Sequence, residues 1–151
     1  MAMVDLRGIT EDVPFDHAAA TRLAAQLRAS ADECEGQIPR RSTVAGIAAE
    51  QWRGVYAGQF TGRMDICYAD ARRLATAMRQ AANQVDELSR LAAEEQQRRE
   101  QAREWQRRQE DEGLLDQIGD FFFGEDDLPP VPDPITPPVY TADVTTVGSR
   151  E

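Results

Sequence analysis

The sequence predicts an all-α chain: a three-helix antiparallel bundle with a long, protruding third helix, followed by a disordered acidic Pro-rich tail. Three observations lead there. Apolar residues recur at steps of three and four through most of residues 15–92, which is the helical period and not the alternation of a strand. Glycine and proline interrupt that pattern at Gly36–Pro39 and again at Gly62, the residue types that punctuate helices. Beyond residue 127 the run LPPVPDPITPP has the composition of an extended, polyproline-like spacer. The expected division is an irregular lead-in over 1–14, the helical bundle over 15–112, a short apolar docking segment over 113–124 and an acidic Pro-rich linker over 125–151.

The first helix is expected from Asp16 to Glu35. Asp16 suits the N-cap, Phe15 before it can act as a hydrophobic staple, and Gly36 supplies a left-handed stop. Ala20, Leu23, Ala24, Leu27, Ala31 and Cys34 share one face. The only histidine, His17, falls in the first turn, where exposure to solvent is the ordinary state.

The middle helix, Ser42 to Arg63, carries the triplet Trp52-Arg53-Gly54. Its stripe is Val44, Ile47, Ala48, Trp52, Val55, Tyr56 and Phe60, which predicts packing along most of its length. Gly46, Gly54, Gly58 and Gly62 fall at multiples of four and would line one side, where a neighbouring backbone could come close. Each interior glycine costs about 1 kcal/mol relative to alanine, so such a helix has to dock to persist.

The third helix is expected from Asp65 to Glu112. Cys67, Ala71, Leu74, Met78, Ala81, Val85, Leu88 and Ala92 alternate steps of four and three, a heptad seam. Past Ala92 the seam loses its apolar residues, but Glu94 with Arg98, Glu95 with Arg99 and Glu104 with Arg108 keep the helical i,i+4 spacing, acid first. Two readings of that stretch stand side by side: a solvated rod about 70 Å long including the seam, or a second contact surface marked by Ala102 and Trp105. Gly113 ends the helix. In LLDQIGDFFFGEDD, the residues Leu114, Leu115, Ile118, Phe121 and Phe122 could share a face and dock either on their own domain or on a partner.

The chain of 151 residues has a net charge of -10 and no lysine. Up to Glu112 there are sixteen arginines against nineteen carboxylates; from Gly113 onward there is one against eight. Acidity of this kind disfavours nucleic acid and anionic lipid as partners. The amino terminus lacks the basic and apolar regions of a signal peptide, and no apolar run approaches the ~20 residues of a membrane span. Synthesis in the cytoplasm is expected, with any export by a route other than the general secretory one. Cys34 and Cys67 are expected as two free, mostly buried thiols at opposite ends of the bundle. With one histidine, two dispersed cysteines, no CxxC or HExxH and no phosphate loop, no catalytic, cofactor-binding or metal-binding constellation is legible, and the chain reads as a non-enzyme.

The triplet Trp52-Arg53-Gly54, set between amphipathic alanine-rich stretches in an acidic chain, resembles the W-x-G superfamily of type VII (ESX) secretion substrates. The frame VAGIAAEQWRGVYAGQF, then LATAMRQAANQV and EEQQRREQAREWQRR, is similar to the helical amino-terminal domains of actinobacterial polymorphic toxins. The likeness runs from about Phe15 to Pro138. It implies a targeting and pairing module that is exported after joining another W-x-G-like helical protein in a four-helix bundle, with Trp52 and Gly54 as the matching motif positions. Gly58, Leu74, Met78, Val85, Leu88, Trp105, Phe121 and Phe122 are the residues expected at a partner interface.

Two departures stand out. A Tyr-x-x-x-Asp/Glu signal usual in the family has no match, since Tyr68 is followed four residues later by Arg72 and Tyr140 has Asp143 only three residues on; either export rests on a partner's signal or this copy is not itself a substrate. Small family members also hold the triplet in a loop, whereas the periodicity here places Trp52 inside a helix, as core anchor or as exposed recognition element. The alternatives to an export module are a cytoplasmic homodimeric scaffold or chaperone that pairs with itself through the long helix and, from acidity alone, a toxin-neutralising immunity protein.

Overall fold

A computed structural model of the chain describes residues 9–115 and 131–140, with side chains described to residue 111 in the first stretch. The described residues are all-helical, with no strand among them: α1 is His17–Ala49 and α2 is Val55–Leu115. There are two helices where the sequence predicts three. The expected interruption at Gly36–Pro39, between the first helix and the middle one, is absent, because α1 continues through both residues. A proline in a helix interior removes one backbone bond and crowds the carbonyl four residues back. Side-chain bonds at i,i+4 span this point: Gln37 to Glu33 at 3.3 Å, Arg41 to Gln37 at 2.7 Å, and the Thr43 hydroxyl to the Pro39 carbonyl at 3.0 Å. Burial of Ile38 adds an apolar anchor beside the proline. Gly62 and Gly113 likewise lie within α2 and do not end it.

The contacts divide into two compact units, and α2 contributes to both. The unit formed by His17–Glu87 with Val139–Glu151 contains an antiparallel helical hairpin. Arg28 reaches across to Asn83 at 2.9 Å and Asp86 at 2.6 Å, and Arg79 reaches back to Asp32 at 2.8 Å and Glu35 at 2.9 Å. Residue numbers rise on one helix as they fall on the other, so these pairs fix the register. They lie largely in solvent and set alignment more than strength. The Arg79 guanidinium, by its hydrogen bond, holds the Glu35 carboxyl below its usual range.

Small side chains make the core of this unit. Ala24, Ala31 and Ile38 follow one another at steps of seven on α1, as Ala75 and Ala82 do on α2, and all five are buried. The expected seam through Cys67 and Leu74 is thus displaced. Cys67 is exposed, Leu74 keeps 45% of its surface in water, and Met78 and Val85 are half-buried at the edge. Both thiols are free, but only Cys34 is partly covered. The Tyr140 hydroxyl donates to Glu87 at 2.7 Å.

The other unit, Met1–Asp16 with Leu88–Pro138, shows how the charged part of α2 is held. The irregular segment before α1 runs antiparallel to this part of α2. Arg103 donates to the Ile9 carbonyl and to Asp12, Arg99 to the Glu11 carbonyl at 2.8 Å, and the Val13 amide to Gln96 at 2.8 Å. Glu95 receives both arms of Arg98, at 2.8 and 2.9 Å, and Arg99 at 3.0 Å. Residues 131–140 carry no regular secondary structure, and the Ile135 amide donates to the same Glu95 carboxylate at 3.1 Å.

Arg98 is only 3% exposed, with Glu95, Ala102 and Ile9 also buried. The stretch is therefore no bare solvated rod, since a buried charge persists only when it is paired and hydrogen-bonded. Leu88 and Trp105 are half-buried here. The expected docking segment, including Phe121 and Phe122, and the linker outside 131–140 lie outside the described residues.

Hydrogen bonds from Arg98, Ile135 and Arg99 hold the Glu95 carboxyl at about 2, down from 4.5, against the opposing effect of burial. Since the folded value is the lower, this contribution to stability is complete above about pH 4.5 and is lost as pH falls towards about 2. The urea midpoint followed by circular dichroism is expected to drop across that window more steeply in the native chain than in Glu95→Gln. Equal slopes would remove Glu95 as a stabilising charge.

Candidate functional site

The helical hairpin turns within residues 50–54, and this is where the triplet lies. α1 ends with the Glu50 amide on the Ile47 carbonyl at 3.3 Å and the Trp52 amide on the Ala49 carbonyl at 3.1 Å. Arg53 folds its guanidinium back onto the carbonyls of Glu50 and Trp52, at 2.7 and 2.9 Å. It thus satisfies acceptors that a helix end leaves open. Gly54 has φ of +93°, a conformation that side chains with a Cβ rarely adopt. Its carbonyl accepts from the Gly58 amide at 3.4 Å, the first helical bond of α2. The triplet therefore divides the work of the turn among its residues. Arg53 closes one helix, Gly54 turns the chain and opens the next, and Trp52 is displayed between them.

Trp52 is 51% exposed and meets Phe60 edge to face, ring centroids 5.3 Å apart at 66°. The core reading of Trp52 does not hold. Nor does the packed stripe: Val44, Ile47, Val55 and Tyr56 are all exposed, Tyr56 by 81%. Gly46, Gly58 and Gly62 have open space where a Cβ would stand, so no described backbone exploits their small size. What the sequence presents as a docked middle helix is an apolar surface at the turn end of the hairpin.

Within that surface lies a trough of about 500 Å³ between the last turns of α1 and the first turns of α2. Val44, Ala45, Ala48, Phe60 and Met64 form its apolar walls, and Arg40 and Arg41 stand at its border. Among the described residues no carboxylate pairs with either arginine; Arg41 bonds only to Gln37. The Tyr68 hydroxyl, one turn beyond Met64, is enclosed with no hydrogen-bond partner among the described residues. No group of three or more potential metal ligands occurs among those residues, and no described helix is long and apolar enough to cross a membrane.

The motif residues Trp52 and Gly54 come together at the turn with Gly58 of the expected interface set, while Leu74, Met78 and Val85 lie further along α2 in the same unit. Leu88 and Trp105 belong to the other unit. The trough was hidden in the sequence because its residues share the helical period of a core, and only the fold shows that no described residue covers them. Compared with protein-family models, curated proteins and solved structures, the chain matches none.

The turn makes opposite demands of two neighbouring glycines. Gly54→Ala is expected to cost about 1–2 kcal/mol, since a Cβ resists a positive φ even with space around it. Gly58→Ala, at an exposed helical position, is expected to stabilise the isolated chain by up to about 1 kcal/mol. Thermal unfolding of the two variants measures both; equal shifts would contradict the turn geometry.

Proposed function

We propose that the chain is a non-enzymatic helical targeting and pairing module for type VII (ESX) export. It would act as the amino-terminal part of an exported toxin or effector, or as the partner of one, by joining a W-x-G-like helical protein. One observation carries the reading: Trp52-Arg53-Gly54 forms the turn between two antiparallel helices, with Trp52 displayed. That is the setting the family resemblance implies for the triplet, and it removes the conflict with a Trp52 placed inside a helix.

The flanks of the hairpin support the same reading. Its seam is made of alanines, and Leu23 and Leu74 remain nearly half exposed beside it. A second helical hairpin laid along those flanks would bury the larger side chains that the seam leaves out, which is how two hairpins become a four-helix bundle. Exposed tryptophans are also the residues on which binding energy concentrates at interfaces.

Trp52 is the residue to test first. Losing its edge contact with Phe60 is worth about 1 kcal/mol, against the 3 to 5 kcal/mol expected of a core aromatic. Trp52→Ala should therefore leave the unfolding midpoint of the chain nearly in place and weaken binding to a co-expressed W-x-G-like helical protein at least tenfold, read by calorimetry. Light scattering of the native pair should give a one-to-one complex. A homodimer indifferent to every such partner would overturn the pairing module in favour of a self-associating scaffold.

A further inference from the structure

The trough at the turn end is unusual in its charge as well as in its exposure. Its lining holds two arginines and no carboxylate, in a chain whose net charge is -10. Arg40 and Arg41 stand at the border of apolar walls and meet no carboxylate among the described residues. A cationic rim around an apolar floor selects an occupant that brings large apolar side chains and negative charge together. A neutral or basic amphipathic helix would leave the arginines unanswered, and a free anion would leave the floor empty.

The chain itself carries a segment of that composition. Residues 116–127, DQIGDFFFGEDD, hold five carboxylates and no cation, with Ile118 and three consecutive phenylalanines among them. We propose that the trough bordered by Arg40 and Arg41 is a docking site for residues 116–127 of a second copy of this chain. The aromatic side chains would enter between Val44, Ala48, Phe60 and Met64, and the flanking carboxylates would meet the two guanidinium groups. A volume of about 500 Å³ has room for a pair of phenylalanine rings. Two copies exchanging segments reciprocally would close a dimer, whereas one-way insertion would propagate. The inference stands on the trough and its charge and is independent of the export reading, whose partner would lie along the helical flanks.

The test uses the 151-residue chain in three forms: native, Arg40→Glu/Arg41→Glu, and Phe121→Ser/Phe122→Ser. The probe is a synthetic peptide of residues 114–127. The native chain is expected to associate with rising concentration in sedimentation velocity, less so at about 0.5 M salt, where charge attraction is screened. Both double variants should sediment as monomers over the same range, with unchanged circular dichroism. The labelled peptide should bind the phenylalanine variant, whose trough is intact, and bind the arginine variant at least tenfold more weakly.

Three results would overturn the proposal. Association of both double variants at native strength would place self-contact elsewhere. Peptide binding indifferent to Arg40 and Arg41 would move the site. A native chain that stays monomeric while the phenylalanine variant takes up peptide would mean that the segment returns to its own trough, or that the trough serves another acidic protein.

Discussion

The hairpin depends on a seam of small side chains. Ala24, Ala31 and Ile38 on α1 and Ala75 and Ala82 on α2 are spaced by sevens and buried, and the alanines among them are small enough to let packed helices approach closely. Close approach gives register and many backbone contacts, but little apolar area per residue. No large side chain is fully buried among the described residues. The leucines and valines that would make a conventional core stand instead along the edges. A hairpin built this way has a defined shape and a thin core, and it gains most from whatever covers its flanks.

The unit around Glu95 solves a different problem. A helix rich in arginine and glutamate would ordinarily lie in water, yet Arg98 is nearly enclosed there. The planar guanidinium makes this tolerable, because two of its donors fit one carboxylate while the neighbouring Arg99 shares the same acceptor and also reaches a backbone carbonyl. A lysine ammonium, with its donors on one nitrogen, lacks the planar fork that grips both carboxylate oxygens side by side. Irregular segments from before α1 and from residues 131–140 supply further partners as main-chain groups, the Ile9 and Glu11 carbonyls and the Ile135 amide. Charge complementarity holds irregular chain to helix where apolar burial is scarce.

Helix content was legible from periodicity, and the place of the break was not. Gly36 and Pro39 are the strongest punctuation in the first half of the chain, yet side-chain bonds from Glu33 through Gln37 to Arg41 and the burial of Ile38 carry the helix across them. The true break needs a single glycine at positive φ, and Gly54 looks in sequence like any of its neighbours at spacing four. Moving the break from Pro39 to Gly54 merges two expected helices, turns a supposed core tryptophan outward and uncovers the trough. The seam was misplaced for a related reason. Alanine is weakly apolar in any hydrophobic pattern, so the pattern favoured Leu74 over Ala75, whereas close packing selects for size. The resemblance to W-x-G proteins rested on the triplet and the helical frame, and it implied a loop position for Trp52 that periodicity alone opposed.

Phe60 ties the turn to the trough. One edge of its ring meets Trp52 at the displayed triplet, and the same side chain forms part of the trough wall opposite Val44 and Ala48. A ligand seated against that wall would touch the ring that Trp52 contacts. The indole is half exposed and has no other ring partner among the described residues, so Phe60 is the aromatic contact that orients it. The trough and the displayed triplet therefore share one side chain, Phe60, so the apolar surface at this end of the hairpin is continuous from the trough wall to the indole.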